Sequence, residues 1–174
     1  GPAVPICKPA LRGNSNHQRE CYRLMKIEIL VGTMSGTAEL VAEEVEQVLG
    51  DAGHEVTVTM MDDVEPDALV AGGLFLICTS TYGFGNIPDN AFDLVERLEK
   101  EKPDLSAMEY GLFVLGDRTY SDTFCGAGTH FDQLLSSLGA RRHGDMQCND
   151  ASSTDLPEEV APEWALEWIS AIPA

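Results

Sequence analysis

Ile27-Glu28-Ile29-Leu30-Val31-Gly32-Thr33-Met34-Ser35-Gly36-Thr37-Ala38-Glu39 is the stretch that decides the fold. A short, almost continuously apolar run, as expected of a strand buried on both faces, passes into a loop of hydroxyls and glycine. A helix is predicted to begin immediately afterwards. Successive backbone N–H groups and the hydroxyls of Thr33, Ser35 and Thr37 then converge at the positive end of that helix, an arrangement that binds phosphate. The loop has no Lys or Arg, unlike a nucleotide-hydrolysing P-loop, whose lysine reaches the outer phosphates. The glycine spacing of a dinucleotide-binding turn is absent, and a nucleophile elbow is missed by one position. A neutral cradle for one phosphate monoester remains. The same letters also suit an ordinary strand-to-helix turn with an N-capping hydroxyl.

Outward from this stretch the chain alternates strand and helix. Residues 74–79 and 112–115 are again short apolar runs, whereas 55–60 alternate polar and apolar, as suits a half-exposed edge. Residues 140–148 are polar enough for the opposite edge. Helical stripes fall on Val41, Val45, Val48, Leu49 and Ala52; on Ala91, Leu94, Val95 and Leu98; on Phe131, Leu134, Leu135 and Leu138; and on Ala161, Ala165, Trp168, Ile169 and Ile172. Residues 64–70 leave room for one short helix at most. This alternation predicts a doubly wound α/β/α sandwich around a five-stranded parallel sheet of order 2-1-3-4-5. Ligands of such sheets bind beyond the carboxyl ends of the strands, where the winding direction reverses between strands 1 and 3.

Two further loops fall at that edge. Residues 79–90 read Thr-Ser-Thr-Tyr-Gly-Phe-Gly-Asn-Ile-Pro-Asp-Asn, and residues 116–126 read Gly-Asp-Arg-Thr-Tyr-Ser-Asp-Thr-Phe-Cys-Gly. Both are long for strand-to-helix links, and long ordered loops are usually functional. Each carries a tyrosine, which suggests a planar ring held between Tyr82 and Tyr120. Singly, either tyrosine is more simply a cover for the end of the sheet. The agreement of three loops favours the ring.

With these three motifs in order, the chain resembles the flavodoxins, most closely the short MioC-like type and the FMN domains of diflavin reductases, from Lys26 to about Ile172. The resemblance implies FMN as cofactor. Thr33, Met34, Ser35, Gly36, Thr37 and Ala38 would hold its phosphate. Ser80 and Thr81 would lie along the ribityl chain and ring, with Tyr82 and Tyr120 on opposite ring faces. Gly83 matches the position whose carbonyl turns to accept a hydrogen bond from N5 of the reduced ring, with Phe84 and Gly85 completing that loop. Leu115, Gly116, Asp117, Thr119, Phe124 and Cys125 would neighbour the pyrimidine edge. Asp117 stands where diflavin domains usually have Asn, and Phe84 replaces a commonly polar residue.

The implied function is electron transfer: a one-electron carrier, not an enzyme, between an NAD(P)H-dependent flavin reductase and an acceptor redox enzyme. Charge agrees with such docking. Residues 1–26 carry five Lys/Arg against one acid, and the remaining chain carries six against 28, within a formal net charge of −18. A strongly acidic surface repels nucleic acid and anionic membrane and attracts a basic-faced partner. Glu65, Asp67, Asp89, Asp93, Asp122, Asp150 and Asp155 are the expected rim. A NAD(P)H:quinone oxidoreductase would need a nicotinamide pocket, and no insertion supplies one. A phosphoacceptor receiver would need an acidic pair after strand 1, where Thr33 and Met34 stand. An excised diflavin domain is a further alternative, disfavoured because the chain stops at Ala174 without a trailing linker.

Residues 1–24 show neither periodicity and are expected to be a disordered or cleavage-derived extension of a domain spanning 25–174. The five cysteines, Cys7, Cys21, Cys78, Cys125 and Cys148, are odd in number and lack C-x-x-C spacing, so neither a disulfide framework nor a metal site is expected. Reduced thiols in a monomeric cytoplasmic protein are the simplest reading.

Overall fold

The computed structural model describes residues 24–82, 85–117 and 124–173. Its elements run β1 (Lys26–Gly32), α1 (Thr37–Asp51), β2 (Glu55–Met60), α2 (Pro66–Val70), β3 (Gly73–Ser80), α3 (Phe92–Glu101), β4 (Met108–Gly116), α4 (Gly126–Ser137), β5 (Arg141–Arg142), β6 (Gln147–Asp150) and α5 (Pro157–Ala171). The sheet is parallel in the order β2-β1-β3-β4-β5, with β6 also pairing with β4. The expected order and layers are therefore present. Residues 1–23 of the expected extension lie outside the described residues.

Alternation along the strands sorts the core into two layers. Ile27, Ile29 and Val31 of β1 join Leu76, Cys78 and Phe113 under α1 and α5, which contribute Val41, Val45, Leu49, Ala161, Ala165 and Trp168. Leu30, Phe75, Ile77, Leu112 and Val114 point the other way, toward Leu94, Val95 and Leu98 of α3 and Phe131 and Leu135 of α4. Each such aliphatic side chain contributes roughly 1.5–3 kcal/mol by leaving water. Helices on both faces make the central strands apolar throughout, while β2, at an edge, keeps its alternation.

Two strands differ from their sequence signals. β4 begins at Met108, four residues before the apolar run, because Glu109 and Gly111 interrupt the run without interrupting the ladder. The edge expected over 140–148 is two short pieces, pairing Glu109 with Arg141 and Phe113 with Gln147. Between them the chain turns through Gly144 at φ 72°. His143 N–H donates to Tyr110 O at 2.8 Å, and Trp168 Nε1–H donates to His143 O at 3.0 Å, so the break is satisfied from both layers. Tyr110 Oη donates to Asp132 Oδ1 at 2.7 Å, and burial pushes its phenol up to about 12.

Gly111 lies directly against the Trp168 indole, and a Cβ there would overlap the ring. Gly111→Ala is expected to cost about 1–3 kcal/mol through forced repacking, seen as a lower urea midpoint at unchanged slope. Gly50→Ala, a helical glycine with open space around it, is expected to stabilise the protein by up to ~1 kcal/mol.

Candidate functional site

Because every strand is parallel, the segments following β1, β3, β4 and β6 emerge at one edge of the sheet. β1 and β3 are neighbours there, with Gly32 opposite Thr79. The chain leaves β1 toward α1 on one face and leaves β3 toward α3 on the other, so a crevice opens between them. Gly32 is required at its floor, since a Cβ would stand 2.6 Å from Thr79 Oγ1 and 3.1 Å from Pro88.

The loop after β1 is closed by its own hydroxyl: Gly36 N–H donates to Thr33 Oγ1 at 2.9 Å. Gly36 itself adopts φ 90°, a left-handed conformation natural only to glycine, and it N-caps α1. No side chain caps this helix. The N–H groups of Thr37, Ala38 and Glu39 thus face the crevice end with no partner inside the helix. Ser35 Oγ and Thr37 Oγ1 lie 3.4 Å apart and exposed beside them. Met34 is also exposed, its sulfur 3.2 Å from Asp89 N.

The second loop starts with Ser80, whose Oγ donates to Gly32 O at 3.4 Å, and with Thr81, whose N–H donates to Leu115 O at 2.9 Å. Thr81 Oγ1 is buried without any hydrogen-bond partner. Such an orphan costs about 1–3 kcal/mol unless something satisfies it. Tyr82 and Asn86 exchange two backbone hydrogen bonds at 2.8 Å, pinching the loop into a hairpin. Tyr82 projects with 52 % of its surface exposed at the mouth of the crevice. Gly83 and Phe84, within the pinch, lie outside the described residues, as do Thr119, Tyr120 and Asp122.

After β4, Leu115 and Asp117 are half-buried and Gly116 is buried. A Cβ on Gly116 would stand 2.8 Å from Cys125 N, and one on Gly126 would stand 2.7 Å from Gly85 O. These glycines let the second and third loops close on each other. Phe124 packs at the margin of the core, and Cys125 is fully buried at φ 57° as the N-cap of α4.

The donor set fits a phosphate-bearing ligand: first-turn helical N–H groups, which no side chain caps, for an anion, an orphaned buried hydroxyl farther along, and an exposed tyrosine beyond it. Among the described residues there is no group of three or more His, Cys, Asp or Glu placed to hold a metal, and no helix is long and apolar enough to cross a membrane.

The Flavodoxin family model matches residues 29–164. The chain belongs to the flavodoxin family. It is 39 % identical over 144 residues to Protein MioC of Escherichia coli O157:H7, covering 83 % of this chain and 96 % of that one. It is 38 % identical over 151 residues to Flavodoxin YqcA of Pectobacterium carotovorum, covering 87 % and 99 %. A cysteine-to-serine variant of a flavodoxin from Pseudomonas aeruginosa superposes with a TM-score of 0.75 at 37 % identity, covering 84 % of this chain and 98 % of that one. The family's cofactor is FMN and its role is electron transfer.

Two features of this flavodoxin escaped the sequence reading. Asn90 is the brace of the crevice: its Nδ2 donates to Val31 O at 2.9 Å and its Oδ1 accepts from Thr33 N–H at 2.7 Å. An amide can do both from one position, donating through its nitrogen and accepting through its oxygen, but only the fold brings residue 90 to residue 31. The second is a disulfide, Cys125–Cys148, with Cα atoms 6.2 Å apart. It corrects the expectation of reduced thiols throughout. The two cysteines are 23 residues apart, and parallel pairing of β6 with β4 sets Cys148 beside Val114, under the head of α4. Of the expected acidic rim, Glu65 is paired with Arg97 at 2.6 Å. Asp150 accepts from Ser152 N–H and Oγ–H. Asp67, Asp89, Asp93 and Asp155 are exposed.

Asn90→Ala removes both braces and is expected to lower stability by about 1–3 kcal/mol and FMN affinity by roughly tenfold. Asn90→Asp keeps the acceptor for Thr33 N–H but loses the donor and adds charge beside the anion site. It is expected to weaken FMN further than Ala does while destabilising the apoprotein less, measured by fluorescence titration and urea unfolding.

Proposed function

We propose that this flavodoxin is a one-electron carrier that shuttles between an NAD(P)H-dependent flavin reductase and an acceptor redox enzyme, with FMN laid along the crevice from α1 to Cys125. The observation that carries the reading is the buried, unpartnered hydroxyl of Thr81, lying between uncapped helical N–H groups and an exposed tyrosine. FMN, when bound, supplies ring redox chemistry in one- and two-electron steps.

The protein supplies binding, orientation and electrostatics. Thr33, Ser35 and Thr37 hydroxyls and the N–H groups of residues 34–38 hold the phosphate without a cation, because backbone dipoles at a helix start suffice for an anion. Ser80 and Thr81 donate along the ribityl chain. Tyr82 would cover one ring face and, as the family resemblance implies, Tyr120 the other, which would exclude a nicotinamide from direct stacking. Leu115, Gly116, Asp117, Phe124 and Cys125, with Thr119 as the resemblance implies, would enclose the pyrimidine edge. As the resemblance implies, Gly83, with Phe84 and Gly85, would offer a carbonyl to ring N5, and a glycine would make the required peptide rotation inexpensive.

Partners dock by charge. Asp67, Asp89, Asp93 and Asp155 are exposed on a chain of net charge −18, which favours a basic face on both the reductase and the acceptor. Such steering weakens as salt shortens the Debye length to roughly 3 Å at 1 M. The protein acts in the cytoplasm as a monomer.

Thr81→Val separates the free protein from the loaded one by sign. Without FMN the substitution deletes a buried orphan and is expected to leave stability unchanged or raise it by up to ~1 kcal/mol. With FMN it deletes a donor and is expected to weaken affinity about five- to tenfold. Equal losses in both states would count against the ligand assignment. Stepwise anaerobic photoreduction of the loaded protein tests the carrier: a broad long-wavelength absorption band is expected at half reduction, and passage straight to the two-electron level would point to quinone-reductase chemistry instead.

A further inference from the structure

We propose that Cys125 and Cys148 form a reversible thiol–disulfide site whose substrate is a dithiol reductant, and that its oxidation state sets how tightly the pyrimidine side of the crevice is held. The second half of this proposal rests on the FMN reading above; the first does not.

The Cα separation of 6.2 Å lies inside the range that a disulfide spans without backbone movement. The two residues belong to different elements, the N-cap of α4 and the third edge segment β6, so the bond ties a helix head to the sheet edge across β4. What it ties down is a tight seam. Cys125 packs on Gly116, and the adjoining Gly126 packs on Gly85 of the second loop, with no room for a Cβ at either glycine. Cutting the bond frees the head of α4 to move from that seam.

Access and chemistry give the exchange a direction. Cys125 is fully buried, whereas Cys148 is half-buried, so in the proposed exchange Cys148 is the partner an incoming thiolate attacks. The S–S bond breaks as the new S–S bond forms. Cys125 leaves as a thiolate at the positive end of α4, the favoured place for that charge, and takes up a proton. The second thiol of the reductant then attacks the mixed disulfide and releases Cys148 as a thiol. The dithiol is oxidised to its disulfide, and two electrons and two protons pass to the pair. Cys78, the remaining described cysteine, lies in the other core layer against α1, and burial pushes its thiol up to about 12, so it takes no part in reshuffling.

The test uses the full chain carrying Cys7→Ser and Cys21→Ser, equilibrated at graded ratios of reduced to oxidised dithiothreitol, acid-quenched, unfolded and alkylated with iodoacetamide. Peptide masses should show Cys125 and Cys148 passing from protected to alkylated together, in one two-electron transition, with Cys78 alkylated at every ratio. FMN titration at the two extremes should give affinity at least about threefold tighter for the oxidised form, the ordering cost of loosened side chains being avoided. Amide exchange over residues 124–129 should be slower in that form. A Cys148→Ser variant should show the reduced-state affinity and exchange at every ratio. Alkylation of Cys125 and Cys148 at all ratios overturns the site. A normal thiol transition with unchanged FMN affinity and exchange overturns the gating. Absence of FMN binding in both forms overturns the cofactor reading, while the mass transition and the exchange rates still judge the thiol site.

Discussion

The structure depends on one pairing, β1 beside β3 with their following helices sent to opposite faces. Parallel ladder bonds from Ile27–Leu74 to Gly32–Thr79 bring the two chain exits side by side. Right-handed crossovers then oblige α1 and α3 to diverge. The space between them cannot be filled by either layer, and the N–H groups at the head of α1 open into it. Everything else at the site is a way of keeping that space open and its rim in place. Gly32 keeps a Cβ out of its floor, Asn90 spans it by two hydrogen bonds, and Gly116 and Gly126 let the neighbouring loops approach closely.

Asn90 shows how much such a rim demands. Thr33 lies just past Gly32, the last ladder residue of β1, and Val31 is one residue before that end. A buried backbone group left unpaired costs as much as a hydrogen bond or more. One amide side chain answers both, and it arrives on the 3₁₀ turn Asp89–Ala91 that leads into α3. The second loop therefore supports the first before any ligand is bound.

Much of this was legible in the sequence, and the boundary of legibility has a physical basis. The apolar runs at 27–31 and 74–79, with the alternation at 55–60, fixed the strands because side-chain period and burial are local consequences of sheet geometry. The three loops were legible because glycines, hydroxyls and tyrosines cluster where strands end. What stayed hidden depended on tertiary neighbours. Gly111 reads as a strand breaker until Trp168 is placed against it. Arg141, Arg142 and Gln147 read as one polar edge until His143 is drawn out to meet Tyr110 and Trp168. Asn90 reads as a loop polar residue, and Cys125 and Cys148 as unrelated thiols, until β6 is laid along β4. The pairing and bracing roles at these positions are made by residues more than twenty positions apart, and single-sequence patterns carry no record of such distances.

The net charge makes the proposed anion site look paradoxical. A chain of −18 should repel a phosphate, and the loop that would hold it has no lysine or arginine. The two effects act over different lengths. Hydrogen bonds from N–H groups and hydroxyls work at about 3 Å in a cleft of low dielectric, whereas repulsion from surface carboxylates is screened beyond roughly 8 Å at physiological ionic strength. Short-range donors therefore set whether an anion is held, and the long-range field sets who approaches. A cation in the loop would strengthen the first but weaken the second, by placing positive charge at the edge where a basic partner must arrive. A neutral, hydroxyl-rich cradle inside an acidic surface satisfies both requirements at once, which is the physical reason the absence of Lys and Arg between Val31 and Glu39 is as informative as the residues that are there.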